Sequence, residues 1–170
     1  MPGSTTQPSS SSSSGQRCIA LIEEFMGSTL THLSVGRFRW EGEVDPEAFG
    51  ELLVSLDDRV IVLRGARGGG DTVTCEELES APVPEEGSED GWFIDHVAFG
   101  ASLVGRQLTS VMPMVSQFGL VAGVRLEFQG EGLFFLSQAD EHYLLALGQA
   151  DQTRRLGFTI GTLPTTSTRS

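Results

Sequence analysis

LLVSLDDRVIVLRG, residues 52–65, is the stretch whose reading decides the fold. Leu52–Leu56 reads as a strand, Asp57-Asp58 as the turn and Val60–Leu63 as the returning strand: short apolar runs bounded by turn residues are the signature of a hairpin. A second stretch repeats the design. Leu126-x-Phe128, a turn and Leu133–Leu136 (LFFL) parallel Val54-x-Leu56, its turn and Val60–Leu63, with the second turn read as one residue longer. Upstream, FMGSTLT (residues 25–31) runs parallel to LVGRQLT (residues 103–109), with Gly, Leu and Thr identical at matched places, and Ile22-Glu23-Glu24 mirrors Ile94-Asp95-His96. Each half, about 17–75 and 92–148, is therefore expected to hold a Gly turn, a strand with an early Thr, a variable insert and a hairpin. Three or four strands cannot cover their own apolar face, so the halves are expected to share one core.

Working outward, RFRWEGEV (37–44) alternates cleanly, with Phe38 and Trp40 on one face and Arg37, Arg39 and Glu41 on the other. The face shared with Phe38 assigns Trp40 to the core. Trp92 opens a strand, Trp92–Phe99, just after an acidic stretch, and suits core and interface equally. Further strands are expected at 29–35, 72–75, 107–115 (with Pro113 at an edge or bulge), 143–147 and 157–163. CIALIEEFM (18–26) fits either a short helix or a strand, and a helix start is expected near 46–51, where Pro46 follows Asp45. Residues 76–90 (EELESAPVPEEGSED) carry seven acids, two prolines and no base, which reads as a solvated linker. The first 16 residues and residues 164–170 are polar, low-complexity tails expected to be disordered. The fold class expected is mainly β: an antiparallel sandwich or partly open barrel from two similar halves, spanning 17–163, with one or two short helices.

The formal net charge is −12, from 11 basic and 23 acidic residues. Every basic residue is Arg, and neither Lys nor Asn occurs. Lys and Asn share A-rich codons, so a GC-rich, bacterial source is expected. An acidic chain repels the phosphate backbone, so no nucleic-acid partner is expected. No apolar run approaches the ~20 residues of a membrane span, and residues 1–17 lack the charged and apolar regions of an export signal, so a cytoplasmic location is expected. Cys18 and Cys75 form no C-x-x-C and read as buried free thiols, or as one disulfide in an exported protein.

Several chemistries lack their residues. Without Lys there is no Walker A lysine, Schiff-base enzyme or kinase β3 lysine. The Gly65–Gly70 loop therefore reads as a hairpin loop rather than a phosphate cradle, and Gly100–Gly105 (GASLVG) has the wrong spacing for a nucleophile elbow. No cofactor or metal is expected. The candidates that remain for a catalytic or ligand site are His96, Asp140 and His142, the last two sharing a face if that segment is extended. For a protein-binding surface the candidates are Glu85, Glu86, Glu89, Asp90 and Trp92, where charge would steer a basic partner and an aromatic would anchor it.

In size, acidity and β content the chain resembles the small bacterial immunity-type proteins that neutralise a cognate toxin. The resemblance implies a non-enzymatic module, immunity-type or regulatory, that recognises a basic protein partner; no motif carries residue roles across. An enzyme or small-ligand binder with a pocket between the two halves, and an oligomerising structural module, are the alternatives.

Overall fold

The computed structural model describes residues 13–66, 72–80 and 90–161. Among the candidates, Glu85, Glu86 and Glu89 lie outside the described residues, as do the two terminal tails up to residue 12 and from residue 162. The chain enters through helix α1 (Ser14–Glu23), which starts inside the Ser-rich stretch. Ser13 Oγ accepts the Gln16 N–H and Gln16 Oε1 accepts the Ser13 N–H, each at 3.2 Å. This reciprocal cap satisfies two of the donors a helix start leaves free. Residues 13–16 thus belong to the folded domain rather than to the tail, because composition registers the serines but not their capping geometry. Gly15, Cys18, Ile19 and Ile22 form the buried face of α1.

Two antiparallel sheets follow. The first contains β1 (Leu30–Trp40), β2 (Glu43–Val44), β3 (Glu51–Leu56), β4 (Arg59–Gly65), β5 (Val73–Leu78) and β6 (Gly91–His96). β1 lies between β3 and β6 over its middle and pairs with β2 at its end, while β4 and β5 continue outward from β3. A 3-10 turn at Ala98–Ser102 leads to the second sheet: β7 (Leu108–Val115), β8 (Val121–Phe128), β9 (Glu131–Gln138), β10 (Glu141–Ala146) and β11 (Thr159–Ile160), in the order β10-β9-β8-β7-β11. A short helix α2 (Ala150–Arg155) precedes β11. The fold is an antiparallel sandwich of two sheets.

The halves repeat their local geometry. Gly27 and Gly105 both take left-handed backbone, φ 87° and 89°, which a side chain would strain. Their N–H groups donate across to Leu108 and Leu30 carbonyls at 2.9 and 2.8 Å, while the Leu30 and Leu108 N–H groups donate to Arg106 and Ser28, both at 2.9 Å. The halves therefore exchange backbone bonds reciprocally. β1 slips register at Thr31 and β7 at Thr109. At each bulge the threonine hydroxyl donates to the neighbouring strand, Thr31 to the Ser55 carbonyl and Thr109 to that of Glu127. The Thr31 bulge explains why Leu30, Leu33 and Val35 break strict alternation in the sequence yet all face inward: one extra residue shifts the side-chain phase.

Several expectations are corrected. Both hairpin turns are two residues long, closed by the pairs Leu56–Arg59 and Phe128–Glu131. Gly132, counted as turn from its identity, is a strand residue paired with Glu127. No helix forms at 46–51; Asp45 Oδ1 instead accepts the Glu47 N–H at 2.9 Å, so the side chain closes a tight turn rather than capping a helix. β5 runs on to Leu78, taking in Glu76 and Glu77 of the acidic stretch, because Arg59 pairs with Glu77 and Arg64 with Glu76 across the strands. Within the described part of the expected last strand, 157–161, Thr159 and Ile160 pair with β7.

The main core lies between the sheets. The first hairpin supplies Leu52, Val54, Leu56, Ile61 and Leu63, the second Val124, Leu126, Phe128, Leu133 and Phe135, and α1 supplies Cys18, Ile19 and Ile22. Leu53, Val60 and Val62 form a cluster on the opposite face of sheet one, and Met114, Ala122, Phe134, Leu136, Leu145 and Phe158 one on the opposite face of sheet two. Both hairpins are thus buried on two faces, which is why their strands read as continuous apolar runs.

Candidate functional site

Two features stand out, and they share a wall. The first is aromatic. The pairing of β1 with β3 ends at Gly36–Glu51, so beyond Gly36 the strand is held only by β6 and β2. Phe38 and Trp40 lie on the outward face of this extension, and Phe38 is the direct cross-strand partner of Trp92. The Phe38 ring meets Trp92 edge-on at 5.3 Å and stacks with Trp40 at 6.4 Å. Phe38, Trp40 and Trp92 are nonetheless 42, 64 and 65 % exposed. Trp40 therefore does not enter the core: alternation assigned it correctly to the face of Phe38, but that face is the outer one. Trp92 is settled as a surface residue, its ring lying against Gly50 so closely that a Cβ there would sit 2.8 Å from Cη2.

Carboxylates border the patch. Glu43 is the cross-strand partner of Trp40, and Glu41 occupies the adjoining turn. Asp90 accepts the Gly42 N–H through Oδ1 at 3.1 Å, tying that turn to the start of β6. Asp90 is thus a positioning residue for the patch as well as a charge beside it. On the reverse face the Arg39 guanidinium sits 4.5 Å over the Phe93 ring.

The second feature is a cavity of about 700 Å³ between the halves, lined by Val35 and Arg37 of β1, the 45–49 loop, residues 97–99 and β10 with the turn before it. Its apolar lining includes Val35, Phe49, Val97, Phe99 and Leu144, and Asp45, Glu47, Asp140 and Glu141 add four carboxylates. Arg37 holds the loop: Nη1 donates to the Pro46 and Ala48 carbonyls at 2.7 and 3.2 Å, and Nε pairs with Asp95 Oδ2 at 3.1 Å. The 45–50 segment therefore carries the cavity on one side, through Arg37, and the Trp92 contact at Gly50 on the other.

Of the three polar candidates, Asp140 and His142 line this cavity and His96 does not. His96 is exposed on β6, opposite Ser34, and its backbone N–H rather than its ring is bonded to Asp95. His142 reaches into the junction of the sheets. Its Nε2 accepts the Gly65 N–H at 3.0 Å, and its other ring nitrogen donates to the Phe49 carbonyl. Its ring packs against Phe49 and Phe135, each 5.8 Å away and themselves in contact at 6.1 Å. Burial holds the imidazole below its ordinary pKa of 6.5, with the Phe49 bond and the Asp140 charge opposing it. A neutral ring with both nitrogens engaged is a cross-link between β4 and β10, and the structure does not bring it together with His96. Tyr143, beside it, donates to Glu141 Oε2 at 2.5 Å, which raises the phenol pKa. Among the described residues no group of three or more His, Cys, Asp or Glu side chains is placed to hold a metal ion.

Comparison of the chain with protein-family models, curated proteins and solved structures finds no match. What sequence reading missed is the aromatic cluster as a unit. Its signal is visible in retrospect: aromatics at the end of a strand, followed at once by Glu-Gly-Glu, sit where core pairing has stopped.

Proposed function

We propose that this chain is a non-enzymatic protein-binding module, immunity-type or regulatory, that recognises a basic protein partner through Phe38, Trp40 and Trp92. The carrying observation is three mutually packed aromatic rings left open to solvent on a strand extension with carboxylates at its border. Exposed aromatics in contact with one another are pre-organised anchors, because little side-chain freedom remains to be lost on binding. A net charge of −12 steers a cationic partner toward them and opposes self-association of like-charged copies. The matched bulges and glycine turns support reading the two halves as copies of one duplicated unit.

The chain has only two tryptophans, both in the patch, so intrinsic fluorescence reports on it directly. Titration with a peptide of alternating arginine and leucine should shift the emission to shorter wavelength and protect it from acrylamide, with the effect fading as salt rises. A glutamine-leucine peptide should do neither. An equal response to both peptides, or a response that Trp40→Ser with Trp92→Ser leaves in the remaining signals of binding, overturns the proposal.

The cavity supports a second reading, a binder of a small cationic ligand with an apolar body: four carboxylates, against the single Arg37 guanidinium already paired with Asp95, line a recess of ligand size that also presents Val35, Phe49, Val97 and Leu144. Calorimetric titration with alkylammonium ions tests it; no heat, or heat unchanged by Asp140→Asn with Glu141→Gln, removes it.

A further inference from the structure

Cys18 and Cys75, 57 positions apart, meet where α1 packs on β5. Cys18 lies on the buried face of α1, and Cys75 is half-buried at the middle of the edge strand β5, opposite Leu63. Cys75 Sγ stands 3.5 Å from the Cys18 carbonyl oxygen, and the two thiol groups are hydrogen-bonded to each other. We propose that Cys18 and Cys75 are a reversible dithiol–disulfide pair, oxidised by an external disulfide of the glutathione type, that ties the N-terminal helix to the edge of sheet one when closed.

The environment divides the roles. The Cys75 S–H donates to the Cys18 carbonyl, and the bond between the two side chains holds the Cys75 thiol below its ordinary pKa against the opposing effect of burial. The same bond, together with burial and the neighbouring negative charge, pushes Cys18 up. The thiolate is the reactive form, so Cys75, the more accessible of the two, attacks first. Its sulfur bonds to one sulfur of the external disulfide and the other leaves as a thiolate. Cys18 then gives up its proton to that leaving thiolate and attacks Cys75 Sγ, expelling the second thiolate, which takes a proton from water. Two protein S–H groups become one S–S bond while one external disulfide is reduced to two thiols.

The test is to incubate the folded full chain with oxidised glutathione, quench with acid, and measure intact mass and a proteolytic map. Loss of two hydrogens with no glutathione attached, a cross-linked pair of peptides holding Cys18 and Cys75, and reversal by dithiothreitol are the expected results. Cys18→Ala should instead accumulate glutathione on Cys75, and Cys75→Ala should stay unmodified. A stable glutathione adduct on Cys75 of the unsubstituted chain overturns the proposal, because Cys18 then cannot resolve it. So does a folded chain that resists oxidation while its urea-unfolded form closes. The peptide map of the unsubstituted chain decides the matter even if a variant fails to fold.

Discussion

His142→Ala tests whether the one histidine inside the cavity is a structural cross-link. The substitution deletes an acceptor for the Gly65 N–H and a donor to the Phe49 carbonyl, and removes the ring that packs against the Phe49–Phe135 pair. Each hydrogen bond contributes about 1 kcal/mol net, and the half-buried ring adds roughly 1 kcal/mol of packing. Water entering from the cavity can satisfy part of what is orphaned, so the loss expected is about 2–3 kcal/mol, or a fall in melting temperature of roughly 5–10 °C for a chain of this length. Urea denaturation followed by far-ultraviolet circular dichroism near about pH 7.5 measures it, where the imidazole is neutral in both folded and unfolded chains. The pH dependence supplies a second reading. The folded pKa lies below the ordinary 6.5, so the unfolded chain binds the extra proton first. The contribution of His142 is therefore complete above about pH 6.5 and declines as pH falls through the interval down to the folded pKa. The unsubstituted chain should lose stability over that interval more steeply than His142→Ala. A loss under ~0.5 kcal/mol, in the range of an ordinary surface change, or an imidazole that titrates above 6.5 by NMR, would refute the reasoning.

Gly65→Ala drives a methyl into Ser137 Oγ and to 2.8 Å from His142 Nε2, so it should cost about 1–3 kcal/mol and combine non-additively with His142→Ala in a double-mutant cycle of unfolding free energies. Arg37→Met removes the guanidinium that holds the Pro46 and Ala48 carbonyls and leaves Asp95 without that partner; a loss of about 1–3 kcal/mol and faster amide hydrogen exchange in residues 45–50 are expected. Trp40→Ser with Trp92→Ser should change unfolding free energy by no more than ~1 kcal/mol, since both rings are about two-thirds exposed, while raising the salt-induced precipitation threshold. Oxidised and reduced chains should differ in urea stability by about 4 kcal/mol, the chain-entropy value for a loop closed across 57 positions.

The mainly β class, the two hairpins and the sharing of one core were legible because apolar runs of strand length, punctuated by turn residues, have few other solutions. The conformation of Gly27 and Gly105 follows from local chemistry, since a left-handed turn favours a residue without a side chain. The candidate site was legible only in pieces. Asp140 and His142 both line the cavity, but Asp140 does so from the left-handed turn before β10 (φ 66°) rather than from a shared strand face, and His96 was not separable from them in a linear chain.

Identity and spacing along the chain determined which residues share a face of a strand; they left undetermined which face meets the other sheet. Trp40 faces outward because it lies on the strand face opposite the inward Leu33 and Val35, and it stays exposed because the pairing of β3 with β1 stops at Gly36, which only the assembled sheet sets. The meeting of His142 with Gly65, and of Cys18 with Cys75, likewise arises from sheets closing on each other across 77 and 57 positions. Local propensity acts over a few residues, whereas these contacts exist only once the apolar faces have been driven together, so the tertiary fold alone decided them.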